Sequence, residues 1–242
     1  MAPVKGRAAP DAVKPSVKRR FQRRLLHWYR THARDLPWRR TRDPYRILVS
    51  EIMLQQTQVS RVLDYYPRFL ERYPTVDELA QAQPRQVREA WEGLGYYARA
   101  HNLHRAARQV VHQHGGRFPR ESGALTALPG VGRYTAGALL SFAHEIPAPI
   151  LDTNVRRLLA RVFLPRRRTN GSGAMRHLWE LAAALVPPRR AWAFNQALID
   201  FGALVCTPRN PRCNICRFTD LCRSYPSFAA GQDKPQRRGG RR

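Results

Sequence analysis

The chain has 242 residues, 43% of them hydrophobic and 10% aromatic, enough for one large domain or two small ones with a real core. Its charge is lopsided, 43 Lys and Arg against 17 Asp and Glu for a formal net charge of +26, which points to a polyanionic partner, most simply nucleic acid. No run of 18 apolar residues occurs, so no membrane-spanning helix is expected.

Residues 1–16 are rich in Ala, Pro and Lys and are expected to form a disordered basic arm. They lack the apolar stretch of a secretory signal. Their basic, acid-poor character is compatible with an organelle transit peptide, but a solvated DNA-contacting arm fits better. The expected location is the cytoplasm, associated with the nucleoid, or the nucleus or an organelle in a eukaryotic cell. The charge is not confined to the ends, because arginine clusters recur at Arg39-Arg40, Arg156-Arg157, Arg166 to Arg168 and Arg189-Arg190.

A helix is predicted from about Val17 to His32, with Phe21, Leu25, Trp28 and Tyr29 on one face. Asp43-Pro44 reads as an N-cap followed by proline at the first helical position. In the helix that follows, Ile47, Glu51 and Leu54 share a stripe, so a carboxylate falls among apolar residues. A lone glutamate there is more often one that reaches out to an arginine at the stripe edge. The segment Gln55 to Val59 breaks into a helix ending near Arg72, and Pro74-Thr75 and Pro84 begin two short helices. Gly93 to Ala100 leads into a helix that Gly115-Gly116 ends. A short helix over Ser122 to Leu128 precedes Pro129-Gly130-Val131-Gly132. Further helices are predicted at about Gly132 to Ala143, Thr153 to Phe163, Ala174 to Val186 and Arg189 to Val205. Pro165 to Gly173 reads as a basic loop, and 226–242 as a disordered Arg-Gly tail. No segment alternates with period 2, so the fold class is all-α.

Three features carry chemistry. Gly130 and Gly132 sit where the backbone must turn tightly and approach a ligand, and successive N–H groups at a helix start form an anion nest. A dinucleotide fingerprint would need a preceding strand and a glycine in place of Thr135; a helix–hairpin–helix gripping a DNA phosphate fits better. Asp152 precedes the helix at Thr153 and can simply cap it, but a helix N-terminus also keeps an aspartate ionised. Glu51, in apolar surroundings, is expected to be protonated more easily. One protonatable and one ionised carboxyl is what acid-assisted glycosidic cleavage requires. Asn154 is placed to hold Asp152. Finally, Cys206, Cys213, Cys216 and Cys222 lie within 17 residues of one another in a chain with no secretion signal, which points to a metal group and not to disulfides. Four thiolates without histidine suit zinc or a 4Fe–4S cluster.

These residues resemble the MutY adenine-DNA glycosylases of the endonuclease III superfamily. The resemblance rests on LPWR, SEIMLQQTQV, GLGYYARAHNLH, LPGVGRYTAGA, LDTNVRRLLARV, FNQALIDFGALVC and the cysteine spacing, and covers about Leu25 to Cys222. It implies a six-helix barrel over 36–144 beside an iron–sulfur domain made of 17–35 and 145–225, with double-stranded DNA across the cleft and the target base flipped out. It selects a 4Fe–4S cluster for the four cysteines. Glu51 takes the place of the catalytic acid, Asp152 of the catalytic aspartate with Asn154 beside it. Trp38, Arg39, Leu54, Val59 and Gln196 match residues lining the adenine pocket. Gln56, Thr57 and Tyr96 match the wedge that fills the gap in the duplex. Tyr134 stands where strand-cutting relatives carry a Schiff-base lysine, so a monofunctional enzyme is expected.

The chain departs from the family at Thr153, where many members have glycine. Only a short Arg-Gly tail follows the cysteines here, where members carry a C-terminal domain that helps recognise 8-oxoguanine, so weaker discrimination between 8-oxoguanine and guanine is expected. The implied substrate is a monomer-bound duplex with adenine opposite 8-oxoguanine or guanine. The alternatives are a thymine or uracil glycosylase for mismatches with guanine, and a non-catalytic iron–sulfur DNA-binding protein.

Overall fold

The computed structural model describes residues 13–164 and 172–232. Most of the expected basic arm, most of the loop at 165–173 and the last ten residues of the expected tail lie outside the described residues. Among the described residues the fold is all-α: α1 (Pro15–His32), α2 (Pro44–Met53), α3 (Val59–Arg72), α4 (Val76–Gln81), α5 (Pro84–Ala90), α6 (Ala98–His114), α7 (Ser122–Thr126), α8 (Arg133–Phe142), α9 (Thr153–Phe163), α10 (Ser172–Leu185), α11 (Ala191–Leu204) and α12 (Tyr225–Gln232), with 3-10 turns at Pro37–Arg39 and Cys213–Ile215. No described helix is long and apolar enough to cross a membrane.

Local chemistry sets the ends. Asp43 accepts from the Tyr45 N–H at 2.9 Å and Pro44 needs no N–H partner, so α2 starts there. Thr75 and Glu78 form a reciprocal capping box on α4. Gly115, at φ +57°, ends α6 in the left-handed conformation. Several boundaries differ from expectation by a residue or two, among them the starts of α10 at Ser172 and α11 at Ala191. α1 begins at Pro15, because proline is as good a first residue as any later one. Residues 226–232, expected as tail, form α12 together with Tyr225; the helix opens on Tyr225-Pro226 with the same start signal.

The chain divides into two compact units. Among the described residues, one comprises 13–33, 151–164, 172–185 and 196–232; the other comprises Arg34–Ile150 and Val186–Asn195. We call them the cysteine unit and the hairpin unit. The segment 186–195, drawn from sequence with the cysteine-bearing part, goes with the hairpin unit. There Asn195 donates to the Ser141 hydroxyl at 2.9 Å and to the Ala148 carbonyl at 2.8 Å.

The cysteine unit is built on aromatic contacts. Phe21 of α1 stacks on Phe218 at 4.6 Å and meets Phe163 edge-on at 5.1 Å. Phe201 packs against both Phe218 and Trp28 at 4.9 Å. Phe21, Phe201 and Phe218 are fully buried, and such rings stabilise by about 1.5–3 kcal/mol each relative to exposure. In the hairpin unit α2 is the central element. Every residue from Ile47 to Met53 is buried, so it is a core helix and not the one-sided stripe its spacing implied. Leu54 lies just past the helix end as its C-cap and is partly exposed.

Candidate active site

In the hairpin unit, Glu51 sits in the last turn of α2, 6% exposed and flanked by buried neighbours on both sides. It is therefore inside the core, not at a stripe edge. Trp38 and Arg39 come from the short 3-10 turn and are both buried, Trp38 edge-on to Tyr66 at 5.5 Å and Arg39 donating to the Arg34 carbonyl at 3.1 Å. Val59 opens α3 and is partly exposed. Tyr134 lies half-buried in the first turn of α8.

Two of the three expected wedge residues share an unusual backbone. Gln56 and Tyr96 have φ of +55° and +48°, the left-handed region that side chains other than glycine seldom occupy. Such strain persists only where surroundings over-determine it. Arg99, which sequence reasoning missed, supplies the constraint. Its buried guanidinium donates to the carbonyls of Ile52, Met53 and Gln55 on one side, at 3.1, 2.7 and 2.5 Å, and of Leu94 and Gly95 on the other, both at 3.1 Å. One side chain thus clamps the end of α2 to the Gly93–Gly95 loop. Tyr96 stands out from that loop 62% exposed, with Arg99 over its ring at 5.5 Å. Thr57 is partly exposed beside Gln56.

The glycine hairpin falls between α7 and α8. Gly130 has φ +79°, and a Cβ there would lie 2.9 Å from Asn102 Cβ, so both the turn and the close approach require glycine. Val131 is buried and closes the turn by donating to the Leu128 carbonyl at 3.1 Å. Gly132 is the N-cap of α8. The first N–H groups of that helix follow, the arrangement that suits a phosphate.

In the cysteine unit, Asp152 is the N-cap of α9, accepting from the Val155 N–H at 2.6 Å. Asn154 donates its side-chain amide to the other carboxylate oxygen at 3.0 Å. Burial pushes the Asp152 carboxyl above its ordinary value, and the Val155 and Asn154 donors and the Arg157 charge pull it only part of the way back. Arg157, another residue missed from sequence, backs the pair. It donates to Asn154 Oδ1 at 2.8 Å, to the Gly202 carbonyl at 2.7 Å and, through Nε, to the Cys206 carbonyl at 2.7 Å. Gly202 of α11 allows this, since a Cβ there would meet Asn154 Cβ and the Asn154 carbonyl oxygen at 2.8 Å. A glycine inside a helical run is the signal that marked it. Thr153 is the first residue of α9 and points to solvent. Gln196 is buried in α11.

Cys206, Cys213, Cys216 and Cys222 are all free thiols, each partly exposed. As donors they fit a tetrathiolate-bound group. Phe218 N–H donates to Cys216 Sγ at 3.4 Å and Arg161 to Cys206 Sγ at 3.4 Å, contacts that favour thiolate charge. Burial pushes the Cys216 thiol up to about 11, and the charges of Cys206, Cys222 and Cys213 add to the rise, so the four sulfurs feel one another. Among the described residues, though, no three His, Cys, Asp or Glu side chains are drawn together tightly enough to hold a metal ion as they stand.

Residues 49–184 match the HhH-GPD superfamily of base excision DNA repair proteins. The chain is 45% identical to the adenine DNA glycosylase of Rattus norvegicus over 221 residues, which span 88% of this chain and 43% of that one. It is 42% identical over 208 residues to the adenine DNA glycosylase of Mycolicibacterium smegmatis, covering 86% of this chain and 70% of that one. Its fold is similar to that of a thermostable thymine-DNA glycosylase, with a TM-score of 0.81, 36% identity, and coverage of 87% of this chain and 97% of that one. The chain thus spans less than half the length of the rat relative it matches.

Proposed function

The chain belongs to the HhH-GPD superfamily of base excision DNA repair proteins, and we propose that it is a monofunctional glycosylase that excises adenine mispaired with 8-oxoguanine or guanine. The observation that carries the substrate is the identity of 42–45% to relatives named adenine DNA glycosylase over nearly nine-tenths of the chain.

The chemistry is assigned to residues of both units. Glu51, buried in α2, is the residue assigned to protonate the leaving adenine. Asp152 faces the sugar and stabilises its cationic transition state, held in one orientation by Val155 N–H and the Asn154 amide. Tyr134 has no amine, so no Schiff base forms and the product is an intact strand with an abasic site. Trp38, Arg39, Leu54 and Val59 of the hairpin unit and Gln196 of the cysteine unit are the residues we assign to contacts with the flipped base. Gln56, Thr57 and Tyr96 fill the gap it leaves, and Gly130, Val131 and Gly132 hold a backbone phosphate. The hairpin unit corresponds to the six-helix barrel domain and the cysteine unit to the iron–sulfur domain.

Cys206, Cys213, Cys216 and Cys222 would hold a 4Fe–4S cluster, which when bound staples their loop and supplies a redox-active centre. Arg209, Arg212 and Arg217 make that loop a basic face for DNA.

The second reading, excision of thymine or uracil opposite guanine, is favoured by the likeness to the thymine-DNA glycosylase. Single-turnover base release from duplexes with A opposite 8-oxoguanine, A opposite G, T opposite G and U opposite G separates the two. Adenine release with strand cleavage only after alkali supports the first reading. Release of T or U alone selects the second. Binding without release from any duplex leaves a non-catalytic DNA-binding protein.

A further inference from the structure

Arg161 of α9 ties together both ends of the cysteine loop. Its guanidinium donates to Cys206 Sγ at 3.4 Å, to the Thr207 carbonyl at 2.7 Å and to the Pro208 carbonyl at 2.8 Å, all at the entrance of the loop. Its main-chain carbonyl accepts from the Cys222 thiol at 3.3 Å and from the Ser224 N–H at 3.0 Å, at the exit. The Arg223 N–H adds a bond to the Val162 carbonyl at 3.2 Å. One turn of α9 therefore fixes the segments on either side of the four cysteines.

The exit contacts all end on main-chain carbonyls of α9 and follow from the course of the chain. The entrance contacts depend on a long, flexible side chain that must be held in one rotamer to make three bonds at once. α12 supplies the hold. It begins three residues after the last cysteine, where Tyr225 N–H donates to the Cys222 carbonyl at 3.1 Å. It lays the ring of Phe228 against the Arg161 guanidinium, whose central carbon is 4.8 Å from the ring centroid. A planar cation on an aromatic face is attracted to it and shielded from water on that side. Its N–H groups, which lie in the guanidinium plane, stay free to bond the loop carbonyls and Cys206.

We propose that α12 is a clasp on the cysteine loop and that Phe228 is a positioning residue, keeping Arg161 on Cys206 and so fixing the geometry in which the loop presents its thiols. The part of this inference that concerns metal retention rests on the proposed tetrathiolate site; the part that concerns the loop backbone does not.

The test compares the full-length wild-type chain with Phe228→Ala, Phe228→Leu and Phe228→Tyr. Leucine keeps apolar bulk without a ring, and tyrosine keeps the ring. Two quantities are read: metal per chain during incubation with a chelator, and hydrogen exchange of the Cys206 and Arg212 amides, which bond the Phe201 and Val205 carbonyls, both at 2.9 Å. Losing one partly exposed cation–π contact should speed metal loss and local exchange by about two- to fivefold in the alanine and leucine variants. The tyrosine variant should match wild type, and amides of α1, in the same unit, should not change. Wild-type behaviour of Phe228→Leu, or exchange that rises equally across α1 and the loop, would overturn the proposal. If the wild-type chain releases no base from any duplex, the functional reading falls while the exchange comparison still decides the clasp.

Discussion

Arg157 and Cys206 are joined by a 2.7 Å hydrogen bond from the guanidinium Nε–H to the main-chain carbonyl. The same guanidinium bonds Asn154, and Asn154 bonds Asp152. A continuous chain of hydrogen bonds therefore runs from the entrance of the cysteine loop to the carboxylate assigned to the sugar. Replacing Arg157 by Gln cannot span these partners. It should cost about 2–3 kcal/mol of stability, the worth of hydrogen bonds to a charged group and of the carbonyls left unmet. It should also lower the single-turnover rate more than the affinity for duplex. Urea unfolding and base release measured on the same preparation check both.

The Asn154 amide acts on Asp152 in a second way. It is one of the donors that lower a carboxyl which burial raises. Asp152 works ionised, so activity should be lost as pH falls through its folded pKa, a limb lying above the ordinary carboxyl value near 3.8. Asn154→Ala removes a lowering donor and should move that limb to higher pH. A pH–rate profile whose acid limb stays in place would show that another group sets it.

The helix that carries Asp152 was legible in the sequence because its cap and its apolar spacing are local. Thr153 to Phe163 was predicted and found. Glu51 was placed among apolar residues by spacing alone, although the full burial of α2 was not, since it depends on what packs around the helix. The arginines were illegible for the opposite reason. In a chain with 43 Lys and Arg, Arg99, Arg157 and Arg161 look like the rest, and only partners over 40 residues away distinguish them. Gly202 and α12 did leave signals, a glycine inside a helical run and a proline at a helix start, and both were passed over.

Asp152 should also limit stability. Its folded pKa lies above its ordinary value, so protonation favours the folded state. The stabilising contribution is full below the unfolded pKa and is lost as pH rises through the folded one. At neutral pH the ionised carboxylate is therefore a burden. Asp152→Asn, which keeps the cap, should raise Tm at pH 7 and lose the advantage at low pH. It should abolish base release by about 10²-fold or more. A lowered Tm at pH 7 would contradict the raised pKa.

Arg99 makes the sharpest prediction for the hairpin unit. Five carbonyls depend on its guanidinium, and it lies 8% exposed. Arg99→Met fills similar space but leaves these acceptors unmet, which should destabilise by at least about 3 kcal/mol. Arg99→Lys, a single point of charge, cannot reach both sides of the clamp and should recover only part of this. Because the clamp holds Gln56 and Tyr96 in their left-handed conformations, the lysine variant should relax that strain even where it stays folded. The expected signature is a folded protein whose affinity for a mismatched duplex falls toward its affinity for a matched one. Denaturation curves and paired binding isotherms at one salt concentration separate loss of fold from loss of the wedge. A lysine variant that is destabilised yet discriminates as well as wild type would show that Arg99 holds the fold and not the wedge.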